Sequence, residues 1–394
     1  MRESRGGLDN PGMSRLAGAA DVRAHRFGSG PPFTVGVEEE YMLLDPGTFD
    51  LAPRVESLLR AERERGGPFL ELMAPELFES LVEFHTPVCA DVAGAARELR
   101  GLRAHALAAA AEQGLALGSA GTHPFSRFET QNVTVRERYR LIVEELQYAA
   151  RRELIFGLHV HVGVDDPDRA IGIVNALRAH LCELVALSAN SPFWRGEATG
   201  LASCRHSIFS AFPRSGPPPH FAGYEEYASV VEQLVAAGCV EDYTRIWWDL
   251  RPHPAFGTVE VRVMDAVTRV EEAIALTAYV QALVRRYAVA LETGAPLVFW
   301  HPVLTKENKW RAARYGLDAT VADVESGGPA PVRALIERTL AAIAPHAREL
   351  GCDRELEGVT EILRSGNGAT RQLAAYARGG VTAVAAEIAA VTAG

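Results

Sequence analysis

Four short segments place Glu, His or Arg at every second residue. In 34–42, Glu38 and Glu40 follow Gly36 on one face, and Val37, Glu39 and Tyr41 take the other. In 79–85, Glu79, Glu83 and His85 alternate with Ser80, Val82 and Phe84. In 155–164, Gly157, His159, His161 and Gly163 alternate with Leu158, Val160, Val162 and Val164. In 258–264, Thr258, Glu260, Arg262 and Met264 alternate with Val259, Val261 and Val263. A period of two is the side-chain period of a β-strand, so each segment predicts a strand with one apolar and one charged face. If the four strands are neighbours, their charged faces merge into one carboxylate-lined floor. Carboxylates crowded on a rigid surface repel each other unless cations lie among them. Hard oxygen donors with few thiols suit Mg²⁺ or Mn²⁺. Arg262 on the same face suits phosphate, which a guanidinium meets with a planar fork. The glycines leave room for a nucleotide close to the backbone.

A solvated face of an antiparallel sheet alternates in the same way. Such a face normally carries Lys, Thr, Ser and Gln, whereas these four have no lysine and set Glu and His beside Gly. Glu39 falls on the otherwise apolar side, as a residue at a sheet edge would. Other candidates stand outside the four segments. His123 in Gly121-Thr122-His123-Pro124 either hangs over the floor or belongs to a structural turn. Asp249 and Arg251 share a face, so Arg251 either meets a substrate carboxylate or pairs with Asp249. Lys306, Lys309 and Arg311 near Trp310 are either phosphate contacts or solvated charges. Cys204 has no base partner in the sequence and reads as an ordinary cysteine. Neither a Walker A loop nor a G-x-G-x-x-G motif occurs, which argues against P-loop and Rossmann nucleotide sites.

The elements that must hold these residues are mixed without strict alternation. Strands are predicted at 33–44, 69–73, 79–86, 115–120, 154–164, 245–251 and 257–264, the last two joined by a Pro-His-Pro turn at 252–254. Helices are predicted at 89–113, 134–153, 168–190, 224–237, 270–292, 331–349, 353–364 and 369–392. Turn-type links between strands favour an α+β layout with a mainly antiparallel sheet. The long irregular stretch 191–222 is a candidate lid, since loops of that length are usually functional. Residues 1–32 read as a disordered leader, followed by one catalytic domain over 33–394.

With 394 residues, 48% hydrophobic and 23% charged, the chain has ample material for a core. The net charge of −10 carries no basic patch and argues against a nucleic-acid partner. Five scattered cysteines suggest neither disulfides nor structural zinc, so a reduced, cytoplasmic location is the expectation. No apolar run approaches the ~20 residues of a membrane span.

At these residues the sequence resembles the type 2 glutamate–cysteine ligase family, also called carboxylate–amine ligases. The blocks that carry the likeness are GVEEEYML at 36–43, ELFESLVEFHTPV at 76–88, GTHPF at 121–125, GLHVHVGV at 157–164, FPRSGPP at 212–218, WWDLRPHPAFGTVEVRVMD at 247–265 and ENKWRAARYGLDA at 307–319. The resemblance implies a glutamine-synthetase-like antiparallel sheet of about six strands, with helices on one face and ATP and several Mg²⁺ ions on the other. It implies Glu38, Glu40, Glu76, Glu83, His159 and Glu260 as metal ligands and Arg262 as a phosphate contact; the residue reading adds Arg251 as a second catalytic arginine. Lys309 and Arg311 are expected as nucleotide contacts from the charge cluster near Trp310, and Lys309 stands where many relatives carry arginine. The implied substrates are a glutamate-like acid and a cysteine-like amine, joined through an acyl phosphate, and a homo-oligomer is allowed. A metal-dependent hydrolase using His159, His161 and Glu83 is the alternative. A metal- or nucleotide-binding regulator would not need so many carboxylates.

Overall fold

The four alternating segments become neighbouring strands. The computed structural model describes residues 20–394. Its main sheet has seven strands: β1 (Val35–Leu44), β2 (Met73–Pro75), β3 (Leu81–His85), β4 (Ala116–Gly118), β5 (Gly157–Gly163), β6 (Leu250–His253) and β7 (Thr258–Asp265). Their order is β6-β7-β5-β1-β3-β2, with β4 added to the far end of β1. Every pairing is antiparallel. This is the expected α+β architecture.

One sheet face is apolar because Val35, Val37, Val160, Val162, Val259 and Val261 all point to it. Helices Val92–Glu112, Pro167–Leu177, Leu181–Ser188 and Val270–Glu292 cover that face. Full burial of each such side chain stabilises by roughly 1.5–3 kcal/mol. The helix starts are fixed locally: Asp91 accepts from Gly94 N at 2.6 Å, and Asp166 accepts from Arg169 N at 2.7 Å ahead of Pro167. On the opposite face the charged row stops after Glu40. Met42, Leu44 and Leu81 continue it as an apolar surface, packed against Ala375 and Ile388 of the C-terminal helix Gly368–Ala393. That helix therefore closes one end of the floor.

Several expectations change. Residues 1–19 of the expected leader lie outside the described residues. Residues 20–32 are packed: Val22 and Phe27 are buried, Tyr224 Oη donates to Val22 O at 2.6 Å, and Arg26 N donates to Pro254 O at 2.9 Å. Residues Val55–Arg65, for which no element is predicted, form a helix whose Val55, Leu58 and Leu59 are buried. Pro252 and His253 are part of β6 and the turn lies at 254–257; Pro252 is tolerated because β6 is an edge strand. Two helical stretches, Pro167–Ser188 and Val270–Glu292, are apolar and long enough to cross a membrane, against expectation. Both are apolar because they pack between the sheet and outer helices, where they are mostly buried.

The largest change is in β7. Val261 pairs with Val160 and Met264 with Leu158, so Arg262 and Val263 together oppose His159. This β-bulge inverts the alternation beyond it. Met264, expected beside Glu260, joins the apolar face, and Asp265 turns towards Gly157. There Asp265 accepts from Asn190 N at 2.9 Å, Ser191 Oγ at 2.7 Å and Ser203 Oγ at 2.8 Å. The start of the 191–222 stretch is thus tied to the sheet, which does not suit the expected lid.

Candidate active site

The register of β1 brings the donors together. Glu38 lies opposite both His85 and His159, and Glu40 lies opposite Glu83. Glu260 pairs with His161 on one side and Arg251 on the other. Among the described residues two groups of three donors have ligand atoms within 4.8 Å of one another: Glu38, Glu83 and His159, and Glu38, His161 and Glu260. Glu38 belongs to both. Its Oε2 lies 3.0 Å from His159 Nδ1 and its Oε1 lies 3.3 Å from His161 Nε2.

The electrostatics separate the two groups. Burial opposes ionisation of Glu260, but Arg251 and Arg262 outweigh it and hold its carboxyl well below the usual range. Arg251 Nε lies 2.6 Å from Glu260 Oε2, and Arg262 Nη1 meets Glu260 Oε1. Glu83 is buried, and among the described residues no cationic side chain is in contact with it. Burial, then the charges of Glu38, Glu76 and Glu40, push its carboxyl well above the ordinary value. Burial and Glu76 likewise raise Glu40 to about 7, although Gly157 N donates to its Oε2 at 2.6 Å. His159 is lowered to about 4 by burial and by Arg262, so its ring is neutral and offers a lone pair. His161 Nε2 is buried, and among the described residues its nearest acceptor, Glu38 Oε1 at 3.3 Å, does not complete a hydrogen bond. Repelling carboxyls, a neutral imidazole and an orphaned imidazole nitrogen are the features a divalent cation would satisfy, so this donor set fits Mg²⁺ or Mn²⁺. The group Glu38, Glu83 and His159 fits best, because no arginine competes for its carboxylates.

Other expected residues fall elsewhere. Glu76 is half-buried at the end of β2, close enough to Glu83 and Glu40 to raise both. Arg251 pairs neither with substrate space nor with Asp249. Its Nε and Nη2 hold Glu260 and its Nη1 donates to Ile246 O at 2.7 Å, so it is committed to positioning Glu260. Lys309 was expected to contact nucleotide, but it is buried with Nζ 2.5 Å from Asp249 Oδ2. Helix packing brings those two residues together from 60 positions apart. Arg311 donates to Thr320 O and lines a separate cavity of about 660 Å³ with Leu304, Asp323 and Pro329. His123 takes the turn reading: Nε2 lies 2.8 Å from Phe49 O, and Nδ1 accepts from Ser126 N at 2.9 Å. Burial pushes the Cys204 thiol up to about 12, consistent with an inert cysteine.

Two residues escaped the sequence reading. Glu153, just before β5, is raised well above the carboxylate range by burial and by Glu40 and Glu76. Arg205, on helix Cys204–Phe209, is 5% exposed and reaches the floor beside Gly157. Neither lies on an alternating strand, which was the signal followed.

An antiparallel sheet that offers a cation-binding carboxylate floor and an arginine on one face, with helices on the other, is the frame of a nucleotide-dependent ligase. Residues 34–387 match the family model described as glutamate–cysteine ligase family 2. A protein from Rubrobacter xylanophilus named "Putative glutamate--cysteine ligase 2-3" is 48% identical over 358 residues, covering 90% of this chain and 95% of the relative. One from Sorangium cellulosum, named "Putative glutamate--cysteine ligase 2", is 44% identical over 350 residues, 88% and 92% of the two chains. In fold, the chain is similar to the glutamate–cysteine ligase of Francisella tularensis solved in complex with AMP. The TM-score is 0.67 at 14% identity, over 92% of this chain and 89% of that one. The chain belongs to glutamate–cysteine ligase family 2.

Proposed function

We propose that the protein joins a glutamate-like carboxylate to a cysteine-like amine through an acyl phosphate. The observation that carries this reading is the pair of donor groups sharing Glu38, set directly beside Arg262. Glu38, Glu83, His159, His161 and Glu260 would hold the cations, with Glu40 and Glu76 at the margin. Bound Mg²⁺ or Mn²⁺ would supply charge neutralisation for the ATP phosphates above an acidic surface. Arg262 spends Nη1 on Glu260, while its Nε has no partner. Its second terminal nitrogen would meet phosphoryl oxygens as charge builds on them. A substrate carboxylate oxygen attacks the γ-phosphorus, the bond to ADP breaks, and ADP leaves. The amine nitrogen then attacks the acyl carbon, the C–O bond to phosphate breaks, and the nitrogen gives up a proton. Water must be kept from the acyl phosphate, which it would hydrolyse.

The test is ADP release measured with glutamate and cysteine, separately and together, in Mg²⁺. This reading expects release only when acid and amine are both present. Substrate cleavage without ADP formation would instead favour a metal-dependent hydrolase on the same donors.

A further inference from the structure

We propose that the N-terminal strap, residues 20–32, and the ring of Phe256 are positioning elements of the site, which orient His161 within the Glu38, His161 and Glu260 donor group. This rests on the cation reading above, to which it adds how one of the two donor groups is held in shape. The family match begins at residue 34, so the strap lies ahead of it. His161 is boxed in by the hairpin that joins β6 to β7. Thr258 Oγ1 lies 3.0 Å from its Nδ1. The rings of Phe256 and His253 stand edge-on to it at 5.6 Å and 5.7 Å, and they stack on each other at 4.1 Å. For Nε2 to bind a cation, the ring proton must sit on Nδ1, where Thr258 Oγ1 accepts it. All these contacts come from 253–258, a hairpin at the edge of the sheet. Phe256 is 47% exposed, so its own burial does not fix the turn.

The strap supplies that hold. Arg26 N donates to Pro254 O at 2.9 Å and Gly28 N donates to Val164 O at 3.3 Å, so the strap crosses both the turn and the end of β5. The fit at the crossing is close: Gly257 has φ +67°, and a Cβ there would lie 2.5 Å from Arg26 O. Away from the turn the strap is anchored on helix Tyr224–Ala236. Arg23 Nη1 lies 2.7 Å from Glu225 Oε2 and its Nε meets Glu232, while Tyr224 Oη donates to Val22 O at 2.6 Å. Val22 and Phe27 are buried. A second tie runs through the residues ahead of β6. Asp242 Oδ2 accepts from Ala20 N at 3.2 Å. Tyr243, beside it, accepts from Ala255 N at 3.3 Å and sets its ring at 90° to His253. The strap touches the turn, and the turn touches His161. Partners that orient a ligating histidine in this way are worth roughly 10–100-fold in metal affinity. The other group, Glu38, Glu83 and His159, takes no donor from β6 or β7.

The experiment is calorimetric titration of the full, metal-stripped chain with Mn²⁺ alone, beside the melting temperature of each variant. Phe256→Ala removes the exposed ring. Val22→Asp with Phe27→Ala lifts the strap. Wild type should show two classes of Mn²⁺ site. Each variant should weaken one class by about tenfold or more and leave the other within about twofold of wild type. Combining them should add little to the strap change alone, because both act through the same turn. If the strap variant fails to fold, Arg23→Ala with Tyr224→Phe, which loosens the strap without opening the core, takes its place under the same criteria. An equal loss at both classes overturns the proposal, since general loosening would produce it, and so do losses that simply add. A wild type that binds no Mn²⁺ removes the cation reading and the proposal with it; two intact classes in every variant remove the proposal alone.

Discussion

Arg103 reaches Glu39 through the helix-covered side of the sheet, Nη2 to Oε1 at 2.5 Å, with both side chains buried. Tyr41 Oη donates to the same carboxylate at 2.6 Å. Glu39 therefore sits in the middle of the sheet, not at an edge, and belongs to stability and not to chemistry. Glu39→Gln should cost about 3 kcal/mol in denaturant unfolding, the scale for breaking a buried pair from one side. Turnover per folded molecule should stay within about twofold of wild type. An activity loss as deep as that of Glu38→Gln would contradict the face assignment.

Glu38 is shared by both donor groups, which sets an order among the floor carboxylates. Glu38→Gln, Glu83→Gln and Glu260→Gln should each abolish measurable turnover with the fold retained. Glu38→Gln should weaken Mg²⁺ binding most, because it removes a charged donor from two groups at once. Calorimetric Mg²⁺ titration of the three variants checks the ranking; wild-type turnover in all three would remove the floor from the chemistry.

The raised carboxyls make stability depend on pH. Burial lifts Glu40 to about 7 and lifts Glu83 and Glu153 well above the usual value. Each binds a proton more tightly folded than unfolded, so its contribution is present below the unfolded value near 4.5 and is lost as pH rises through the folded one. The melting temperature of metal-free protein should thus fall between about pH 5 and pH 8. Mg²⁺ should restore more of it at pH 8 than at pH 5. Equal stabilisation at both values would show that these carboxyls do not meet the cation.

Arg262 and Arg251 both hold Glu260, so the loss of one does not orphan it. Arg262→Lys should keep the melting temperature close to wild type while kcat falls by roughly tenfold to a thousandfold, the range for a lost preorganised donor. The KM for ATP should move less, because the missing contact is strongest in the transition state. A stable variant with normal kcat would leave Arg262 a purely structural partner of Glu260.

The floor was legible because period two is local: Glu38, Glu40, Glu83, His159, His161 and Glu260 needed only the alternation within their own strands. What was not legible depended on contacts far along the chain. Lys309 looked like a free charge until helix packing set it on Asp249. Arg205 lies on a short helix outside the alternating strands, and it reaches the floor because Gly157, 48 residues earlier, carries no side chain. The bulge leaves no mark in a sequence that alternates smoothly through Met264. It is visible only in the pairing with β5.

That bulge makes β7 a strand with two phases. Up to Arg262 its even-numbered residues serve the floor; beyond it an odd-numbered one, Asp265, serves the same side. Were the same residues paired without the bulge, Met264 would join the floor and Asp265 would turn into the helical layer, releasing Asn190, Ser191 and Ser203 together. The extra residue is therefore what lets an even-numbered Glu260 and an odd-numbered Asp265 serve one side of the sheet.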